Sequence, residues 1–252
     1  EPPLRLYEPP RLDLVSPACG PVHGGTHITL AGSQLRGGSE YRCQFGGLGE
    51  QLTWEDATVD PRRGRMGRYI FEAAPVSVRA NYSSTPYGDT IECETPVDTF
   101  GSSQGVDRWS VGLSVSLNGQ QFDTLQGERT PPGTSPNFLP RRGFGVYADP
   151  LPTSASEVYP ARARAGAEVT VFGTAMHAGC AYACRFGDDV MPGSYVENRG
   201  GVRCRVPNRP DGTVEAVWVS LNAQQFVPLA LNMTWGAQTA AHSGSPTQPQ
   251  PC

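Results

Sequence analysis

Two stretches of this chain are imperfect copies of each other, and both carry the same cysteine-and-glycine skeleton. The first reads GTHITLAG…YRCQFG from Gly25 to Gly46, then IECETP ending at Pro96, then VSLNGQQF from Val115 to Phe122. The second reads GAEVTVFG…YACRFG from Gly166 to Gly187, then VRCRVP ending at Pro207, then VSLNAQQF from Val219 to Phe226. Between Gly25/Gly166 and Gly46/Gly187 the register holds without a gap. Such a repeat restricts architecture before any residue is read singly, because each copy must form the same structural unit. The 252 residues therefore divide into two domains in tandem, each long enough to bury its own core.

The units are built from strands. Thirty Gly and 24 Pro suit short strands joined by tight turns and do not suit long helices. From Trp109 to Leu117, Val111, Leu113, Val115 and Leu117 alternate with Ser110, Gly112, Ser114 and Ser116, the period of a half-buried strand. That strand runs into Asn118-Gly119, the favoured centre of a type I′ hairpin turn. The second copy has Ala223 where the first has Gly119; alanine resists positive φ, so a different turn is expected there. The fold class is all-β.

Residues 1–12 read as a lead-in, 13–148 as the first domain, 149–236 as the second, and 237–252 as a Pro/Ser/Gln-rich extended tail. Tyr147-Ala-Asp-Pro echoes Tyr7-Glu-Pro-Pro, as if the lead-in were the last strand of an earlier repeat. The copies differ most between their paired cysteines, where the first carries about 30 extra residues. These, and the connection 126–142, are read as loop additions that make contacts.

Cys43 matches Cys184 and Cys93 matches Cys204, so each copy owns one equivalent pair. Disulfides Cys43–Cys93 and Cys184–Cys204 are the first reading; buried free thiols acting as small core residues are the alternative. Cys19, Cys180 and Cys252 have no counterparts and read as cysteines that reach outward, one a free thiol or joined to a partner beyond the chain. The CxxxC of Cys180 and Cys184 lacks the second half of a zinc site, so no metal is expected. Two N-glycosylation sequons, at Asn81 and Asn232, agree with paired cysteines on an oxidising, extracellular compartment.

SPACGPVHGGTHITLAG, followed by CQFG, CETP and VSLNGQQF, resembles the IPT/TIG domain. That immunoglobulin-like fold occurs in plexins and hepatocyte-growth-factor-type receptors, in Rel-type transcription factors, and in long arrays on algal and protist surface or ciliary proteins. The resemblance covers most of 13–125 and 155–236, and the CxFG…CxxP…VSLNGQxF form is most similar to the algal and protist arrays. The second copy departs from it at YPARARAGAE, which lacks the Gly-Pro and Gly-Gly-Thr of the opening turn. The resemblance implies two immunoglobulin-like β-sandwiches used for adhesion, spacing or assembly.

Other classes fit less well. His23, His27, His177 and His242 fall in turns or the tail, outside any Ser/His/Asp pattern, and Asp188-Asp189 reads as a solvated turn. Without lysine there is no phosphate-cradling GxxxxGK[ST] loop, so neither an enzyme nor a cofactor is expected. A net charge of −4 opposes nucleic-acid binding. Arg62, Arg63, Arg65 and Arg68 form the one basic cluster, a solvated loop or a weak site for an acidic partner. No apolar run is long enough to insert in a membrane. The expected function is a non-catalytic structural or adhesive segment of an extracellular surface, cell-wall or ciliary-filament glycoprotein. Its partners would be other protein chains or repeats of the same larger protein, with glycans as a second class. The alternatives are a plexin-like receptor ectodomain, an intracellular ciliary (axonemal) scaffold, and a Rel-like DNA-binding module.

Overall fold

Alternating apolar residues bury one face of each strand, and the two copies solve that requirement in the same way. The computed structural model describes residues 7–55, 65–86, 88–97, 108–124, 143–150, 156–197 and 200–237. In the first copy the strands are β1 (Arg11–Ser16), β2 (Cys19–Pro21), β3 (His27–Ser33), β4 (Arg42–Glu55), β5 (Arg65–Thr85), β6 (Gly88–Glu94), β7 (Arg108–Ser116), β8 (Asp123–Thr124) and β9 (Gly143–Tyr147). In the second they are β10 (Glu157–Tyr159), β11 (Arg162–Ala163), β12 (Glu168–Phe172), β13 (Ala183–Phe186), β14 (Asp189–Val196), β15 (Gly201–Arg205), β16 (Val214–Ser220) and β17 (Val227–Trp235).

Each copy is a sandwich of two sheets tied together by one strand that changes sheet. β5 pairs with β4 as far as Arg79 and with β6 from Ala80 onward. β14 does the same, leaving β13 at Pro192 and joining β15 at Gly193. One layer of the first copy is β1-β3-β6 with the end of β5; the other is the start of β5 with β4-β7-β9-β2. β10-β12-β15 and β13-β16-β17-β11 are their counterparts. The two all-β units are thus immunoglobulin-like sandwiches in tandem.

The face expected from the alternation is the core face: Val111, Leu113, Val115 and Leu117 are buried together with Ile28, Leu30, Phe45 and Phe144. Across the sheets of the first copy, Cys43 on β4 is bonded to Cys93 on β6. Cys184 on β13 is bonded to Cys204 on β15 in the second. From the enclosed loop lengths these links restrict the unfolded chain by about 4 and about 3 kcal/mol.

The structure alters two readings of the extra residues. The insertion between Cys43 and Cys93 is largely a lengthened hairpin, with Gly47 to Glu55 of β4 paired to Ala73 to Arg65 of β5. Where the second copy turns tightly at Gly187 (φ 56), the first has a bulge at Gly46 (φ 120) and Gly47, and the strands run on. The 126–142 connection interrupts a strand pair: Asp123–Thr124 and Gly143–Tyr147 both pair with β7, whereas β17 makes the equivalent pairings with β16 as one strand, with a register shift at Val217/Trp218. Residues 126–142 themselves, like the tail 238–252, lie outside the described residues.

The hairpin turns also differ from expectation. Asn118 does not take positive φ, so the turn is not type I′. Its side-chain Oδ1 instead accepts from the backbone N–H of Gln120 and Gln121 at 3.0 and 3.1 Å. Asn222 does the same for Gln224 and Gln225, both at 3.1 Å. Held in this Asx turn, Ala223 takes the left-handed conformation (φ 61) that Gly119 takes in the first copy (φ 73), so the two turns match. Alanine there costs about 1 kcal/mol relative to an unstrained site. Ala223→Gly is expected to raise stability by roughly 0.5–1 kcal/mol, read as a higher midpoint in thermal unfolding.

Candidate functional site: the seam between the two copies

The copies meet end to end. At the lower end of the first copy, β1 stops pairing with β3 at Thr29, so His27 lies beyond its edge partner. The backbone N–H and C=O of His27 are thereby left without a strand partner on that side. The hairpin loop after β16 supplies a partner instead. Gln224 Oε1 accepts from the His27 N–H at 3.0 Å, and Gln224 Nε2 donates to the His27 carbonyl at 2.7 Å. One side-chain amide thereby stands in for a strand residue.

The neighbouring residues of the loop continue the contact. Gln225 Nε2 donates to the Gly25 carbonyl at 2.7 Å, and its Oε1 accepts from the Thr26 hydroxyl at 3.2 Å. Asn222 Nδ2 points at Thr26 Oγ1, 3.2 Å away, and at Gln225 Oε1. Asn222 is 1 % exposed and Thr26 is fully buried, so this polar cluster sits in a dry seam where each bond counts for more than at a surface. Gly24 (φ 80) shapes the turn that carries Gly25 and Thr26, since a Cβ there would lie 2.1 Å from the Pro96 carbonyl oxygen of the same copy.

Around the polar cluster the seam is apolar and covalent. Ala18, Cys19 and Tyr147 of the first copy belong to the buried cluster of the second, among Cys180, Cys184, Leu221 and Trp235. Burial, with Asp149 nearby, holds the Tyr147 phenol well above its ordinary range, and burial does the same to Tyr182. Both phenols stay neutral. His23 Nδ1 and Asp149 Oδ2, 2.8 Å apart, pin the connection as it leaves the first copy.

Cys19 and Cys180 are bonded to each other, with Cα atoms 5.9 Å apart. This corrects the reading of both as outward-reaching cysteines. Neither has an internal counterpart because each supplies one half of a link between unlike ends of the two copies. Cys252 lies outside the described residues.

The remaining sequence candidates fall elsewhere. Asn81, on β5 opposite Glu92, and Asn232, on β17 opposite Ala216, are both exposed. Arg62 and Arg63 lie outside the described residues; Arg65 and Arg68 fall on the backbone of β5, and their side chains are outside the described set. Asp188 is in an exposed turn, and Asp189 pairs with Arg209 at 2.6 Å. His27 Nε2 lies 3.9 Å from Glu94, His177 is exposed in the 3-10 turn Met176–Ala178, and His242 lies outside the described residues. Among the described residues, no group of three or more His, Cys, Asp or Glu could hold a metal ion. Among them too, no helix is long and apolar enough to cross a membrane. Sequence reasoning passed over Gln224, Gln225 and Thr26 as contacts. The available signal was a glutamine pair kept in both copies immediately after a core strand.

The fold and the seam define a class, that of tandem immunoglobulin-like sandwiches joined into one body. More particularly, the IPT/TIG domain model matches residues 10–59, at the start of the first copy. No curated protein sequence matches the chain. Among solved structures, SGBP-B from a complex xyloglucan utilization locus in Bacteroides uniformis is similar at 14% identity over 90% of this chain and 49% of that one, with a TM-score of 0.28. SGBP-B of the Bacteroides ovatus mixed-linkage glucan utilization locus, in complex with a mixed-linkage heptasaccharide, is similar at 12% over 84% and 41%, with a TM-score of 0.27. The Yersinia pseudotuberculosis adhesin InvE is similar at 11% over 90% and 59%, with a TM-score of 0.22. The chain spans about half the length of these structures, and at such scores the likenesses carry no inference about ligand or assembly.

Replacing Gln224 by Ala removes both bonds to His27. Hydrogen exchange at the His27 amide is expected to speed up about tenfold, the effect of a bond worth about 1.4 kcal/mol, while core amides such as Val115 are unchanged.

Proposed function

We propose that this chain is a non-catalytic structural and adhesive segment of an extracellular surface, cell-wall or ciliary-filament glycoprotein, acting through protein–protein contacts. The observation that carries this reading is the seam. Two β-sandwiches are connected twice, by the peptide linker and by Cys19–Cys180, and the polar groups between them are bonded to one another. Such a joint fixes the spacing and orientation of whatever the sandwiches present. Three disulfides support an oxidising compartment, since cytosolic thiol buffers reduce most such links. The exposed asparagines of both sequons agree with a glycosylated surface. A plexin-like receptor ectodomain is the second reading, favoured by the IPT/TIG match. Other chains, further repeats and glycans are the proposed partners, with no nucleic acid and no direct membrane insertion.

Material secreted from a eukaryotic host and mapped without reduction is expected to contain Cys19–Cys180, Cys43–Cys93 and Cys184–Cys204, with glycan at Asn81 or Asn232. Recovery of all six of these cysteines as free thiols from native material would remove the oxidised-surface reading.

A further inference from the structure

The upper end of the first copy reproduces the surface with which the second copy grips its neighbour. Asn118, Gln120 and Gln121 stand where Asn222, Gln224 and Gln225 stand, in the same Asx turn. Asn118 Nδ2 bonds Gln121 Oε1 as Asn222 Nδ2 bonds Gln225 Oε1. Beside the loop, the N–H groups of Ser39 and Glu40 both donate to the Leu117 carbonyl, at 2.9 and 3.0 Å. Those of Cys180 and Ala181 donate to the Leu221 carbonyl, at 2.9 and 3.1 Å. Ser39 therefore occupies the place of the cysteine that locks the seam.

The two ends also differ in exposure. Asn222 is buried and Gln225 half-buried beneath the first copy, whereas Asn118 is half-exposed and Gln121 exposed. Among the described residues, none covers the loop of the first copy as the first copy covers that of the second. Tyr7 adds a second, independent correspondence. It packs against the buried cluster of the first copy, as Tyr147 joins that of the second. Tyr147 is the last residue of its exit strand, β9.

We propose that Ser39, Asn118, Gln120 and Gln121 form a docking surface for one more domain of the first-copy type, lying on the N-terminal side and arriving at Tyr7. Its Gly-Gly-Thr-His turn would meet Gln120 and Gln121 as Gly25, Thr26 and His27 meet Gln224 and Gln225. The lower end of the second copy is a poorer match, because Ala167 and Glu168 replace Thr26 and His27 there. With Ser39 in place of a cysteine, this joint is held by the amides and the tyrosine alone. The proposal rests on reading the chain as a segment that acts through further repeats, and it names both the partner and the surface.

The test is a three-domain chain, in which residues 1–147 are placed directly before residue 8 of the full chain, in a Cys252→Ser background. The first copy has its own buried cluster and its own disulfide, so the added unit carries what its core needs. Ser39→Cys is introduced only in the original first copy. Non-reducing peptide mapping is expected to find that new thiol bonded to Cys19 of the added copy. Gln120→Ala in the original copy is expected to speed exchange of the added copy's His27 amide about tenfold.

If the added copy forms its Cys43–Cys93 bond but leaves Cys19 reduced, the proposal is overturned. It is also overturned if Cys19 is found cross-linked only between separate molecules. The original Cys19–Cys180 bond serves as the internal reference: its absence would count against the proposed function, and its presence without the new bond counts against this inference alone.

Discussion

The pairing of the Gln224 side chain with the His27 backbone is the interaction around which the seam between the two copies is organised. His27 lies exposed at the start of β3, and β1 ends too early to pair with its N–H and C=O. A side-chain amide is the one protein group that offers an acceptor and a donor side by side, the same pattern as a strand residue. Gln224 fills that role from the other copy. Once it does, Gln225 reaches Gly25, Asn222 reaches Thr26, and Cys19 and Cys180 come within bonding distance. The disulfide and the polar pairs hold one and the same geometry.

The seam also explains which parts of each sandwich are plain and which are not. The cores are interchangeable solutions to one problem, with an inter-sheet disulfide, an edge-to-face aromatic pair and a strand that changes sheet. Phe45 with Phe144 and Phe186 with Trp235 are those aromatic pairs, and Tyr41 on Tyr82 and Tyr182 on Tyr195 are matching stacks. Differences between the copies gather away from the cores, at the ends and at the lengthened β4–β5 hairpin. Rigid cores with specialised ends are what a spacing or adhesive element requires, since force and orientation are transmitted through the ends.

Much of the fold was legible in the sequence because its causes are local or repeated. Alternation from Val111 to Leu117 marks a strand by side-chain period alone, and the matching of Cys43 with Cys184 and Cys93 with Cys204 marks equivalent positions. The Cys19–Cys180 link was not legible, because it joins non-equivalent positions and depends on how two separate domains sit. The conformation of Ala223 was misread for a related reason. Propensity argued against positive φ, and the Asx turn made by Asn222 overrode it. The extra residues after Gly46 looked like a loop because the second copy has no counterpart to them, whereas the pairing of β4 with β5 runs on past the bulge.

The central claim is that the two sandwiches form one body. Backbone amide relaxation measured by NMR reports the tumbling of each copy separately, through amides such as Ile28 and Val115 in the first and Val171 and Val219 in the second. One shared rotational diffusion tensor, of the size set by the whole two-domain unit, is the predicted result. Two distinct and shorter correlation times, each fitting a single sandwich, would contradict it.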